Sequence, residues 1–371
     1  MVDKIADCRF MAAAIRLASW HIGQTAENPS VGAIIVGSDG NTIVGHGVTA
    51  KGGRPHAETQ ALAMAGESAR NGTAYVTLEP CSHYGKTPPC ADALVNAGIK
   101  RVVIARLDPD KRVSGRGVKI LKNARIIVET GILAGKAFEG LSAYLTTRQL
   151  SRPEVTLKMA ISADNGIGIR GKRNVLISNE LSRSVSHMMR AKNDAILIGI
   201  GTVRADNPEL TCRLSGLEDR SPVRVVVDPE LTMPLDCQLV ATAKTVPTWV
   251  ISRKNSSDAQ KKIELQEKGV KLLECDGSKT TISPEQILRI LFENNISSVL
   301  IEGGAITART FLDQKAVDKV VLFRSTIMLG DDRISAPDFK KYLADFTKIE
   351  QAEFGKDNYS EWRLRPECLP E

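Results

Sequence analysis

The 371-residue chain is 42% hydrophobic and 25% charged, the balance of an ordinary globular protein rather than a disordered or membrane-embedded one. Its net charge of +7, from 50 Lys+Arg against 43 Asp+Glu, comes with only 4% aromatics. That leaves little platform for stacking polymeric nucleic acid and suits phosphorylated small molecules and dinucleotides instead. The length exceeds what one hydrophobic core usually organises, so two domains are expected.

In chain order, the opening Met1-Val2-Asp3-Lys4-Ile5-Ala6-Asp7 carries acids early and lacks an apolar signal core, so a cytoplasmic location is expected. An odd number of cysteines, seven, fits a reducing compartment. Asp7 is placed as the cap of a helix over 12–18. Strands over 31–36 and 42–44 flank Ser38-Asp39-Gly40-Asn41, and Asp-Gly between β runs signals a hairpin. A helix over 57–64, a strand over 74–78, a helix over 90–97 and a strand over 101–105 follow. A helix over 118–122 and a strand over 125–128 close a layered α/β domain. The polar stretch 146–152, ending before Pro153, marks the junction, so domains are expected at 1–147 and 148–371 without a flexible linker. The second half restarts the alternation, with strands over 155–160, 195–199, 223–227, 248–252, 270–273 and 299–302. Helices are predicted there over 180–192, 284–293 and 306–313. The longest apolar runs, such as 195–200, are strand-sized, so no membrane partner is expected.

The chemistry concentrates in the first half. His56-Ala57-Glu58 opens one predicted helix, Pro80-Cys81 follows a strand, and Cys90 opens another helix after Pro88-Pro89. One imidazole and two thiolates leave a fourth zinc position for water, whereas a structural zinc site takes a fourth protein ligand. His56, Cys81 and Cys90 are therefore the expected metal ligands, with two helix N-termini favouring the thiolates. Zinc lowers the pKa of a bound water toward roughly 7, giving an attacking hydroxide. Glu58 is the expected catalytic residue, passing that water's proton to a ring nitrogen and then to the departing amine. A carboxyl in this role needs a raised pKa. His-x-Glu with a downstream Pro-Cys and a third ligand is the signature of hydrolytic deamination of a nucleobase-like ring. The bland alternative, three unrelated packing residues, sits poorly with that spacing. Glu79 reads as structural. Nucleic-acid deaminases show Pro-Cys-x-x-Cys, but here Ser82-His83-Tyr84-Gly85-Lys86-Thr87-Pro88-Pro89 separates Cys81 from Cys90. Such a loop, with His83 and Lys86 beside the metal, suits a polar or phosphorylated group; a loop histidine bonded to backbone is the equal alternative for His83.

The second half is less decisive on its own. Gly199-Ile200-Gly201-Thr202 and Glu302-Gly303-Gly304 each follow a strand, and amides at the helix start after the second turn can cradle a phosphate. No G-x-G-x-x-G is present, so a typical dinucleotide fold is not supported.

Asn28-Pro29-Ser30-Val31-Gly32, His56-Ala57-Glu58 and the run from Leu78-Glu79-Pro80-Cys81 to Cys90 resemble the bifunctional deaminase/reductase family of riboflavin biosynthesis. Asp108-Pro109 and Gly115-Arg116-Gly117 continue the resemblance. Lys158-Met159-Ala160-Ile161-Ser162-Ala163-Asp164, Arg190-Ala191, Gly201-Thr202 and the run from Asp206-Asn207-Pro208 to Arg213 extend it into the reductase half. The resemblance implies an α/β fold of two domains, an N-terminal cytidine-deaminase-like three-layer αβα domain and a C-terminal dihydrofolate-reductase-like domain. It implies Zn2+ and NADPH as cofactors. The implied substrate is the phosphoribosylated pyrimidine 2,5-diamino-6-(5-phosphoribosylamino)pyrimidin-4-one, deaminated on the ring and then reduced from ribosyl to ribityl. At the matching positions Ala160, Leu176, Thr202, Asp206, Gly304, Ala305, Ile306, Thr307, Ala308, Arg309 and Thr310 would line the cofactor. Asn174, Arg190, Leu210, Arg213 and Glu302 would hold the substrate, the two arginines suiting a phosphate ester through fork-shaped contacts. Arg253-Lys254 is a guess for the cofactor's 2′-phosphate.

This chain departs from the family pattern where Asn165 stands between Asp164 and Gly166. It departs again where Asn174-Val175-Leu176-Ile177-Ser178 replaces Ser-x-Trp-Ile-Thr. A homo-oligomer acting on a small molecule, with no nucleic-acid partner, is expected. An active deaminase whose second domain only binds substrate is the rival enzyme reading. An RNA-editing protein is the third, and its basic–aromatic patches and Cys-x-x-Cys are missing.

Overall fold

The computed structural model describes residues 4–84, 88–110, 113–254, 259–276 and 281–365. Two compact units divide the chain, Met1–Ser151 and Arg152–Glu371. Among the described residues no helix is long and apolar enough to cross a membrane.

The first unit is built on five strands: β1 (Gly32–Val36), β2 (Ile43–Val48), β3 (Thr73–Leu78), β4 (Arg101–Arg106) and β5 (Ile127–Thr130). Their order is β2-β1-β3-β4-β5. β1 runs antiparallel to both neighbours, while β3, β4 and β5 are mutually parallel. The β1–β2 hairpin forms as Asp39-Gly40 demands: the Asp39 carboxylate accepts the Asn41 and Thr42 amides, each at 3.0 Å, and Gly40 has φ +71°. Helices cover both faces. A Cβ on Gly32 would lie 1.9 Å from the Ala14 carbonyl oxygen, so helix Lys4–Ala18 seats flush on one face. On the other, Gly45 and Gly47 leave equally little room beneath helix Ala57–Ala65. This is the three-layer αβα arrangement.

Two details differ from expectation. Helix Lys4–Ala18 begins well before residue 12, so Asp7 lies inside it and caps nothing. Its carboxylate, 1% exposed, receives the Arg101 guanidinium at 2.8 and 2.7 Å and the Tyr75 hydroxyl at 2.8 Å, tying the helix to β3 and β4. Helix Ala134–Leu150 runs through the polar stretch expected to separate the domains, because Ala137, Leu141 and Leu145 keep an apolar stripe facing the core. The units therefore part after Ser151 rather than after residue 147.

The second unit holds β6 (Glu154–Ile161), β7 (Gly166–Ile169), β8 (Ala195–Gly199), β9 (Val223–Val227), β10 (Thr248–Arg253) and β11 (Val270–Cys275). It continues with β12 (Ser298–Glu302), β13 (Lys319–Arg324), β14 (Arg333–Ser335), β15 (Phe346–Phe354) and β16 (Asp357–Leu364). Its nine-stranded sheet has the order β11-β10-β9-β8-β12-β6-β13-β16-β15. The strands from β11 through β13 are parallel, and β16 and β15 add an antiparallel hairpin at the edge. The helices predicted at 180–192 and 284–293 stand as Glu180–Lys192 and Pro284–Glu293. The second starts sharply because Ser283 and Gln286 form a capping box with Pro284 in the first turn. In parallel sheets, ligands bind beyond the carboxyl ends of the strands; here those ends carry Gly199 and Glu302.

Candidate active sites

In the first unit His56 is the N-cap of helix Ala57–Ala65, with an extended backbone (φ −72°, ψ 160°), so its imidazole projects off the helix start while Glu58 sits in the first turn. Glu79, just past β3, accepts amides from Asp108 (3.3 Å), Gly115 (3.0 Å) and Val118 (3.1 Å). That anchors the turn carrying Pro80-Cys81 and gives Glu79 the structural task expected of it. A Cβ on Gly117 would meet the Pro80 carbonyl oxygen at 2.2 Å, so this glycine serves close packing behind the same turn. Cys90 begins helix Cys90–Asn96, and its amide donates to the Cys81 sulfur at 3.3 Å.

His56 Nδ1 lies 3.6 Å from Cys81 Sγ and 3.3 Å from Cys90 Sγ, and all three donor atoms fall within 4.8 Å of one another. Tetrahedral zinc, with Zn–N of about 2.0 Å and Zn–S of about 2.3 Å, requires N···S separations of about 3.5 Å. The donor set fits the ion. The Cys81 thiol is drawn down to about 4 by the Cys90 side chain and by His56, despite its burial. Glu58 is 4% exposed; burial, then the Cys81 sulfur, push its carboxyl up to about 7. His83 Nδ1 is buried with no hydrogen-bond partner. Lys86 lies outside the described residues.

In the second unit, Glu302 at the end of β12 meets Arg190 of helix Glu180–Lys192 in a paired contact, Nε to Oε1 at 2.9 Å and Nη2 to Oε2 at 2.8 Å. Arg190 Nη1 also donates to the Thr211 carbonyl at 2.9 Å. Arg213 stands apart from that pair: it is exposed and its Nη1 bonds Glu209 at 2.9 Å. The expected arginine pair is therefore one buried, carboxylate-bound guanidinium and one solvent-facing one. Leu210 is buried, with φ +57°.

Among the residues expected at the cofactor, Gly304 and its neighbour Gly303 have φ of +71° and +90°, and Cβ atoms there would approach Thr202 Oγ1 at 3.2 and 3.7 Å. Thr307 Oγ1 lies 2.8 Å from where a Gly199 Cβ would stand. Helix Ala305–Asp313 has no side-chain cap, so this glycine cradle with first-turn amides fits a phosphate. Asp206 accepts the Asn174 amide at 3.1 Å, so the residue expected at the substrate and the one expected at the cofactor are neighbours. Leu176 and Ile306 are 67% and 79% exposed. Ala160 is half-buried, packed against the cluster of Val321, Phe323 and Tyr359. Ala305 and Ala308 are buried, Arg309 reaches the Ser335 carbonyl at 3.3 Å and Thr310 bonds the Ile306 carbonyl at 2.9 Å. Asn165 has φ +62°, a left-handed conformation asparagine tolerates better than other non-glycine residues. Arg253 pairs with Glu230, and Lys254 with Asp276 at 2.8 Å.

Two side chains had no assigned role in the sequence reading. Lys158, on β6, lies 3.8 Å from Glu302 and 5.6 Å over the Phe323 ring, and burial holds its ammonium below the ordinary lysine range. His187, one turn before Arg190, accepts the Arg213 amide through Nδ1 at 3.3 Å. Burial, then Arg190 and Arg213, keep it below the usual histidine range. Lysine inside a strand and histidine inside a helix carry no local signal; only their shared neighbours mark them.

Residues 153–358 match the family described as the RibD C-terminal domain, and residues 4–106 match the cytidine and deoxycytidylate deaminase zinc-binding region. The riboflavin biosynthesis protein RibD of Aquifex aeolicus is 41% identical over 325 residues, covering 88% of each chain. That of Bacillus amyloliquefaciens is 41% identical over 321 residues, covering 86% of this chain and 85% of the relative. Among solved structures, Acinetobacter baumannii RibD aligns with a TM-score of 0.84 at 34% identity, covering 98% of this chain and all of the other. The diaminohydroxyphosphoribosylaminopyrimidine deaminase/5-amino-6-(5-phosphoribosylamino)uracil reductase of Thermotoga maritima aligns equally well, at 0.84 and 34%, covering 98% and 99%. These likenesses span both units.

Proposed function

The chain belongs to the RibD family of bifunctional deaminase/reductases of riboflavin biosynthesis, and from that premise we propose which residues carry each reaction. The substrate is 2,5-diamino-6-(5-phosphoribosylamino)pyrimidin-4-one. The unit ending at Ser151 removes the ring amine, and the unit beginning at Arg152 reduces the ribosyl group to ribityl.

His56, Cys81 and Cys90 would hold zinc, which when bound supplies the Lewis acidity that activates water. Glu58 then carries the protons. It takes one proton from the attacking water and gives it to the ring nitrogen, then takes the second from the newly attached hydroxyl as that becomes a carbonyl and gives it to the amine, which leaves as ammonia. A buried carboxyl near 7 exists in both protonation states at neutral pH, as this shuttle requires. The observation that carries the reading is the spacing of one imidazole nitrogen and two sulfurs beside that carboxyl. Ammonia release from the diaminopyrimidine ribotide tests it. Release should stop on chelation and return with zinc; release unaffected by chelation would reject the assignment.

Thr202, Asp206 and the Gly304–Thr307 turn would hold NADPH, which supplies a hydride when bound. Arg213 and Leu210 position the phosphoribosyl group beside the Arg190–Glu302 pair. Opening the sugar at its anomeric carbon leaves a ring oxygen that must gain a proton, and Lys158 is the buried donor at hand. Its depressed pKa eases that transfer. We further propose a homo-oligomer in the cytoplasm. Exposed Trp20 and Ile43 support association, and free cysteines support a reducing compartment. Light scattering on the eluting protein tests the first and fractionation of the producing cell the second.

A further inference from the structure

Arg224, on β9, is 0% exposed and has no carboxylate partner among the described residues. Its Nη1 donates to the Glu209 carbonyl at 3.1 Å and to Thr242 Oγ1 at 2.7 Å. Its Nη2 donates to the Leu239 carbonyl at 3.2 Å, the Val246 carbonyl at 2.8 Å and Thr248 Oγ1 at 2.7 Å. Burying a cation with no counter-charge is costly, and an aliphatic side chain would fill a sheet interior at less expense. What the guanidinium does, and an aliphatic chain cannot, is tie separate segments together with one planar fork.

One of those segments is the irregular stretch 207–213, which carries Leu210 and Arg213. Its backbone turns through left-handed conformations at Asn207 (φ +45°) and Leu210 (φ +57°). Buried and half-buried side chains hold it in place. Arg190 takes the Thr211 carbonyl at 2.9 Å, Ser221 Oγ takes the Cys212 amide at 3.0 Å, and His187 takes the Arg213 amide at 3.3 Å. Arg224 is the prop at Glu209, directly before the strained Leu210 and four residues before Arg213.

We infer that Arg224 is a positioning residue for substrate binding in the reductase unit: it fixes the Glu209 carbonyl and thereby the placement of Leu210 and Arg213. The inference rests on the proposed substrate contacts of those two residues. It separates substrate from cofactor, because the Gly304 turn and Thr202 lie outside the segment that Arg224 braces.

The test is R224K in the full-length chain, which keeps the charge and loses the fork. The KM for the deaminated intermediate should rise about tenfold, equivalent to one lost charged hydrogen bond. The kcat and the affinity for NADPH should stay within about twofold. In an R213A background the same change should move KM by less than about twofold, since residues acting through one another are not additive. Equal losses of NADPH affinity and substrate KM would make Arg224 a general stabiliser and overturn the inference, as would an unmoved KM or full additivity with R213A. Should R224K not accumulate folded, S221A decides by the same readouts, because it removes a neighbouring prop and leaves the buried cation alone. A wild-type chain that oxidises no NADPH with the intermediate would instead sink the reductase reading itself.

Discussion

Arg190 and Glu302, far apart in sequence, meet in the second unit as a two-bonded pair, with Lys158 3.8 Å from the same carboxylate oxygen. Burial alone would push the Glu302 carboxyl up, but Arg190 and Lys158 outweigh it and draw it down to about 2 from its usual 4.5. A carboxyl depressed in the folded state contributes stability above its unfolded pKa and loses it as pH falls through the folded value. The resistance of the second unit to denaturant should therefore fall as pH drops from about 4.5 to about 2. The E302Q variant should lose about 3–5 kcal/mol at neutral pH, because two cations are left buried without their partner. It should also lack this component of the acid transition; an acid limb identical to wild type would exclude Glu302 as its source.

The proton shuttle can be removed without removing the metal. E58Q should lower the deamination rate by about two to four orders of magnitude, with zinc content and NADPH-dependent reduction unchanged. If the variant emerges zinc-free, Glu58 is a ligand and its assigned role is wrong.

Glu79 makes the opposite case. Its carboxylate satisfies three amides behind the Cys81 turn, so E79A should cost about 1–3 kcal/mol for each buried amide left unpaired, less whatever water recovers. Thermal unfolding of the first unit reads this directly. An unchanged melting temperature with slowed turnover would mark Glu79 as catalytic instead.

Arg213 is exposed and bonds Glu209 at 2.9 Å and Thr211 Oγ1 at 3.4 Å within its own loop, contacts worth little by themselves. R213A should leave stability within about 0.5 kcal/mol. It should raise the KM for the phosphorylated intermediate about tenfold or more. A dephosphorylated intermediate should not distinguish the variant from wild type. Equal effects on both compounds would remove phosphate as what Arg213 reads.

The zinc set was legible because its ligands must be particular residue types at helix and strand ends, and such ends leave local marks. The hairpin at Asp39-Gly40 and the helix start at Ser283-Pro284 were legible for the same reason. Relationships across long stretches of chain were not. Asp7 carries the local signal of a cap, an acid before an apolar run, whereas its partners Tyr75 and Arg101 lie 68 and 94 residues away. Arg190 and Glu302 are separated by 112 residues, so nothing local reveals that the carboxylate already occupies the arginine fork. Strand β15 leaves no periodic mark in the sequence because it is an edge strand exposed along most of its length, without the alternation a half-buried strand shows. Asn165, a departure by pattern, is explained by a backbone angle the sequence does not display.

The central claim is that one chain first exchanges a ring amine for oxygen and then reduces the attached sugar. The mass of the product formed from the diaminopyrimidine ribotide tests it most directly. Without NADPH the zinc-loaded protein should yield a compound about 1 Da heavier, NH having been replaced by O. With NADPH the compound should gain about 2 Da more, from hydride and proton. A substrate mass unchanged without NADPH, or no further gain with it, would contradict the account.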